Sequence, residues 1–174
     1  MHMTEDAKRI IDDSIRAVLP DAAVYRALEG RRFDRPVTVI AIGKAAWRMA
    51  NAAAKALGEN LREGIVITKY GHSEGDIPRM TIYEAAHPIP DEAGVAATRA
   101  ALALADRMTA QDEVIFLVSG GGSALFESPL VPLAELEDIT GQLLSCGADI
   151  VEINTIRKRL SAVKGGCRIA EGAD

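Results

Sequence analysis

A lysine beside a glycine, a run of three glycines, two histidines and a basic helix face are the residues here whose types and spacing could do chemistry. Lys44 follows Gly43 directly after the apolar run Val37 to Ile42. A helix is expected from Ala45 onward, and its dipole disfavours a cation at that end. A bound anion would resolve the conflict, since helix amino termini offer N–H groups to negative charge. A solvated lysine on a turn is the competing explanation. The spacing Gly-x4-Gly-Lys-Ser/Thr of a Walker phosphate loop is absent.

A second cluster, Ser119-Gly120-Gly121-Gly122-Ser123, follows the apolar run Glu113 to Val118. Consecutive glycines let backbone amides turn toward a ligand, and two serines add hydroxyls. This is the chemistry of a phosphate or carboxylate cradle, with a flexible turn as the alternative. The triple glycine overlaps only loosely with the dinucleotide pattern Gly-x-Gly-x-x-Gly. Two further segments carry histidine: Lys69-Tyr70-Gly71-His72 and Ala86-His87-Pro88-Ile89-Pro90-Asp91. His87 stands where a proton-transfer or substrate-binding group could sit, although lone histidines are more often structural. Asn154, Arg157, Lys158 and Ser161 fall three and four residues apart, so on a helix they share a face. One amide, two cations and a hydroxyl suit a polyanionic ligand; a solvated basic face explains them equally well. No carboxylate stands out as a general base, and no metal ligands are expected among these residues.

The elements that must position these groups are legible from periodicity. Thr4 to Leu19 reads as an amphipathic helix with Ile10, Ile11, Ile15, Val18 and Leu19 on one face. Pro20-Asp21 breaks it, and Ala22 to Leu28 reads as a second short helix. Val37 to Ile42, Gly64 to Thr68, Met80 to Ala85 and Glu113 to Val118 read as strands. Val37 to Ile42 is continuous and β-branched, the mark of a strand buried on both faces. Glu113 to Val118 is as apolar, so it and the strand after Gly64 are expected at or near the centre of the sheet. Ala45 to Leu57, Asp91 to Met108, Leu133 to Cys146 and Ile150 to Leu160 read as helices. The alternation predicts an α/β fold: a Rossmann-like open, mainly parallel sheet with helices on both faces. Ligands in such sheets gather beyond the carboxyl ends of the strands, where the glycine and histidine segments fall.

The 174 residues suit one domain, and the formal net charge of −5 argues against a general binder of nucleic acid or anionic membranes. Two cysteines, Cys146 and Cys167, lie far apart and read as reduced thiols. No apolar run reaches the length of a spanning helix, and Met1-His2-Met3 lacks the apolar segment of a secretory signal. A cytoplasmic location is expected.

Taken in order, Ala-Ile-Gly-Lys-Ala-Ala, Ile-Thr-Lys-Tyr-Gly-His, Ala-His-Pro-Ile-Pro-Asp, Val-Ser-Gly-Gly-Gly-Ser-Ala-Leu and Glu-Ile-Asn-Thr-Ile-Arg-Lys-Arg-Leu-Ser-x-x-Lys-Gly-Gly resemble the two-domain, MOFRL-type glycerate kinases, whose members often carry the older label hydroxypyruvate reductase. Each motif alone is weak; five in order, across nearly the whole chain, are specific. The resemblance implies that residues 1–174 are the amino-terminal domain and that a carboxy-terminal domain, the partner across an interdomain cleft, is absent from this chain. It implies phosphorylation of D-glycerate by ATP with Mg²⁺, giving 2-phosphoglycerate, with Lys44 catalytic. Gly43, Ser119, Gly120, Gly121, Gly122, Ser123, His87, Asn154, Arg157 and Lys158 would then bind substrate or ATP. An exposed cleft-facing surface would favour self-association, and little activity is expected from these residues alone. Two other readings stay open: an NAD(P)H-dependent hydroxypyruvate reductase, and a sugar-phosphate-binding module without turnover. The first lacks both the glycine spacing for a pyrophosphate and an acidic residue at the end of the second strand, where Thr68-Lys69 stands.

Overall fold

A computed structural model describes residues 3–165. Cys167, Gly166 and the first two residues lie outside the described residues. The elements run α1 (Met3–Ala17), α2 (Pro20–Leu28), β1 (Val37–Ile42), α3 (Ala46–Leu57), β2 (Leu61–Lys69), β3 (Met80–Ala85), α4 (Glu92–Ala105), β4 (Glu113–Val118), α5 (Gly122–Leu125), α6 (Leu133–Ser145) and α7 (Ile150–Arg159). The four strands form one parallel sheet in the order β3-β2-β1-β4.

β1 is buried at every position, as its β-branched run predicts. Its alternate residues serve two cores. Ile40 and Ile42 join Ile65, Ile67, Ala97, Ala101 and Leu104 beneath α4. Ala41 joins Ala46, Trp47, Ala50 and Val66 beneath α3. The period of two in the strand thus assigns one helix to each face. Asp91 caps α4, accepting the Gly94 N–H at 2.9 Å. Pro20 does not merely break the first helix but opens α2 at its first turn, where a missing N–H costs nothing. Asp149 and Glu152 close a capping box on α7.

β4 departs from expectation. It lies at the edge of the sheet and not at its centre. Ile115 and Leu117 pack toward α3, while Val114, Phe116 and Val118 are 44%, 51% and 56% exposed. These three share a face with Thr38, Ile40 and Ile42, their register neighbours. α4 covers that face over β1, β2 and β3 but does not extend over β4. Composition alone cannot distinguish a covered apolar strand from one whose cover lies elsewhere. Ile10, Ile11 and Ile15 of α1 are likewise exposed.

Candidate active site

The turn after β1 and the turn after β4 are stitched to each other. Gly43 adopts φ +116, and a Cβ there would lie 2.6 Å from the Ser119 carbonyl oxygen, so only glycine allows this approach. The Lys44 N–H donates to the Gly120 carbonyl at 2.8 Å, and the Ser119 N–H donates to the Ile42 carbonyl at 2.9 Å. The Ser119 hydroxyl accepts from the Ala45 N–H at 3.0 Å and donates to the Ile42 carbonyl at 3.3 Å. From β2, the buried Thr68 hydroxyl donates to the Gly43 carbonyl at 3.1 Å. His72 Nδ1 lies 2.9 Å from the Lys44 carbonyl; the carbonyl only accepts, so this nitrogen carries the proton.

This stitching alters the expected division of labour. The N–H groups of Gly43, Lys44, Ala45 and Ala46 are all bonded within the protein. The start of α3 therefore does not present those four amides to an anion. Ser119 is a structural clamp between two strands. The amides left over belong to the glycine loop. Among the described residues, the N–H groups of Gly120 and Gly121 donate to no other group, whereas that of Gly122 donates to the Ser119 carbonyl at 3.3 Å.

Gly121 is also where the candidate side chains converge. It adopts φ +89, and a Cβ there would lie 2.8 Å and 2.9 Å from His87 Cδ2 and Nε2 and 3.2 Å from Lys44 Cγ. The His87 ring and the Lys44 chain therefore flank the loop at the carboxyl ends of β1 and β3. Lys44 is exposed, and its ammonium meets no carboxylate among the described residues. Burial pushes His87 below the ordinary histidine value, and the charges of Lys44 and Lys69 push it further. The loop that carries His87 is anchored by Asp91, which accepts the Tyr70 hydroxyl at 2.8 Å as well as the Gly94 N–H.

The opposite flank of the glycine loop faces α7. A groove of about 450 Å³ there brings Gly122 and Ser123 together with Asn154, Arg157, Lys158 and Lys164. Ser123, Asn154 and Lys158 are exposed. Arg157 is not a free cation: its guanidinium lies 3.4 Å from the carboxylate of Glu127, which Lys164 approaches at 2.7 Å. The Glu127 side chain is 1% exposed, so two cations lie against one buried carboxylate. Ser161 falls beyond the end of α7 and is buried, its backbone pairing with Pro129. Glu127 had no signal in the sequence pattern, because its partners Arg157 and Lys164 lie thirty or more residues away. A larger concavity, about 770 Å³, lies between α2, the loop before β1 and the end of α3, with Arg26, Arg31 and Arg32 on its wall. It sits at the amino ends of the strands, away from this chemistry. Among the described residues no three His, Cys, Asp or Glu side chains gather to hold a metal ion, and no helix is long and apolar enough to cross a membrane.

The sequence and the fold have counterparts among known proteins. A Thermotoga maritima protein named D-glycerate 2-kinase is 54% identical over 167 residues, which are 95% of this chain and 40% of that protein. A Pyrococcus horikoshii protein named glycerate 2-kinase is 40% identical over 179 residues, with the same shares. A crystal structure of glycerate kinase from Thermotoga maritima superposes with a TM-score of 0.89 at 51% identity, covering 95% of this chain and 40% of that one. The chain thus spans about 40% of the length of these relatives. Residues 6–173 match the sequence family described as a domain of unknown function, DUF4147, and the chain belongs to that family.

Proposed function

We propose that this chain forms one wall of an interdomain active site that transfers the γ-phosphoryl group of ATP to D-glycerate, giving 2-phosphoglycerate, in the cytoplasm. The observation that carries the reading is the convergence at Gly121 of the unpaired Lys44, the His87 ring and two uncommitted backbone amides. Phosphoryl transfer needs positioning and charge neutralisation more than covalent chemistry. Lys44 supplies a compact charge that follows the transferred group. The amides of Gly120 and Gly121 receive anionic oxygens, of the substrate carboxylate or of phosphate. Ser123, Asn154 and Lys158 hold further oxygens from the far side of the loop, and Arg157 contributes what charge Glu127 leaves it. A carboxy-terminal domain, as long relatives have room for, supplies the facing wall. Mg²⁺ bound to ATP would neutralise phosphate charge; the described residues offer no ligand cluster for it.

The reductase alternative is disfavoured locally. A pyrophosphate at the start of α3 would meet amides already bonded to Gly120, Ser119 and Ile67, and Thr68-Lys69 ends β2 where a ribose would need a carboxylate. The test is ADP release with ATP and D-glycerate, measured for this chain alone and joined to a carboxy-terminal domain. Turnover is expected only from the joined protein. NADH oxidation with hydroxypyruvate in place of ADP release would overturn the reading, as would tight binding of a sugar phosphate with no turnover in either form.

A further inference from the structure

Building on the phosphotransfer reading, we propose that His87 accepts the proton of the substrate hydroxyl as that oxygen attacks phosphorus. The ring lies against the glycine loop, with Nε2 2.9 Å from the position a Gly121 Cβ would take and the Lys44 chain on the same side. A phosphoryl group held by the loop amides and Lys44 therefore has an imidazole beside it. The other candidates are engaged. His72 Nδ1 is committed to the Lys44 carbonyl, and Asp91 accepts from Gly94 and Tyr70. No ring nitrogen of His87 bonds to another residue among the described ones.

The step balances without a further reactant. The hydroxyl O–H bond breaks and its proton passes to the imidazole. The oxygen forms a bond to the γ-phosphorus, and the bond from that phosphorus to the β–γ bridging oxygen breaks, its electron pair leaving on ADP. His87 then loses the proton to solvent. The imidazole must be neutral to act. Burial and the charges of Lys44, Lys69 and His72 favour the neutral form and outweigh the ring's bond to its own backbone.

The test uses the chain joined to its carboxy-terminal domain, with ADP release followed against pH for wild type, His87→Asn and His87→Gln. Loss of an aligned base lowers kcat by about a hundredfold or more. The acidic limb of the kcat profile disappears in both variants, while KM for ATP stays within about threefold. An active wild type whose acidic limb and kcat survive both substitutions, to within about threefold, overturns the proposal but leaves the kinase reading intact. A wild type that releases no ADP at any pH removes the kinase reading and this proposal together.

Discussion

Replacing Gly43 with alanine separates two costs that the structure predicts independently. The first is backbone strain: φ +116 belongs to a region that residues with a Cβ rarely enter, worth about 1–3 kcal/mol. The second is overlap. The new Cβ would lie 2.6 Å from the carbonyl oxygen of Ser119 and 2.8 Å from its carbonyl carbon. These are backbone atoms and cannot swing aside. Relief requires the ends of β1 and β4 to part, which stretches three bonds: Lys44 N–H to Gly120, Ser119 N–H to Ile42 and Ala45 N–H to Ser119. Losing two of them, at about 1 kcal/mol each, brings the total to about 3–5 kcal/mol. Gly71 is the control. It has φ +74 with nothing within 4 Å of a built Cβ, so Gly71→Ala carries only the left-handed strain of about 1–2 kcal/mol. Urea unfolding followed by far-ultraviolet circular dichroism measures both, with the midpoint falling further for Gly43→Ala at an unchanged slope. If the two variants lie within about 1 kcal/mol of each other, the two turns are not clamped as described.

In the joined protein, Lys44→Ala lowers kcat by about a hundredfold or more, as loss of one preorganised charge-stabilising group does; Lys55→Ala, on the exposed side of α3, leaves it unchanged, and Lys44→Arg restores it only in part. Glu127→Ala leaves Arg157 and Lys164 facing each other without their carboxylate and destabilises the chain by about 3–5 kcal/mol in the same unfolding assay. Asp91 would be raised by burial, but the N–H of Gly94, the Tyr70 hydroxyl and the N–H of Ala86 outweigh it and hold the carboxyl below 3.8. Its contribution to stability is therefore complete above 3.8 and lost as pH falls through the folded value, so Asp91→Asn flattens the acid side of the stability profile. Phe116→Ser with Val118→Thr, on the uncovered face of β4, reduces self-association in sedimentation velocity; an unchanged sedimentation profile would remove that face as its cause.

The strands and the helix order were legible because burial on both faces imposes a composition: Val37 to Ile42 could be little else. The same rule misplaced β4, since Val114, Phe116 and Val118 are as apolar as covered residues. At the site, local punctuation revealed Gly43-Lys44, the glycine loop and His87. What those residues do could not be read locally. Ser119 looks like a ligand donor until Ala45 and Ile42, more than seventy residues earlier, occupy its hydroxyl. Arg157 looks free until Glu127, thirty residues earlier, is found beneath it. The four-residue α5 was not expected either, because it begins inside the glycine run.

The bond from the Lys44 N–H to the Gly120 carbonyl reaches further than the two residues it joins. The carbonyl of Gly120 and the N–H of Gly121 belong to one rigid trans plane and point in opposite directions. By fastening the carbonyl, the backbone of Lys44 aims the amide of Gly121 away from itself. The heading of a donor on one strand's turn is thus dictated from the neighbouring strand. A ligand that draws on that amide tugs, through the same plane, on the residue bearing the ammonium, so charge and donor are geared to turn together.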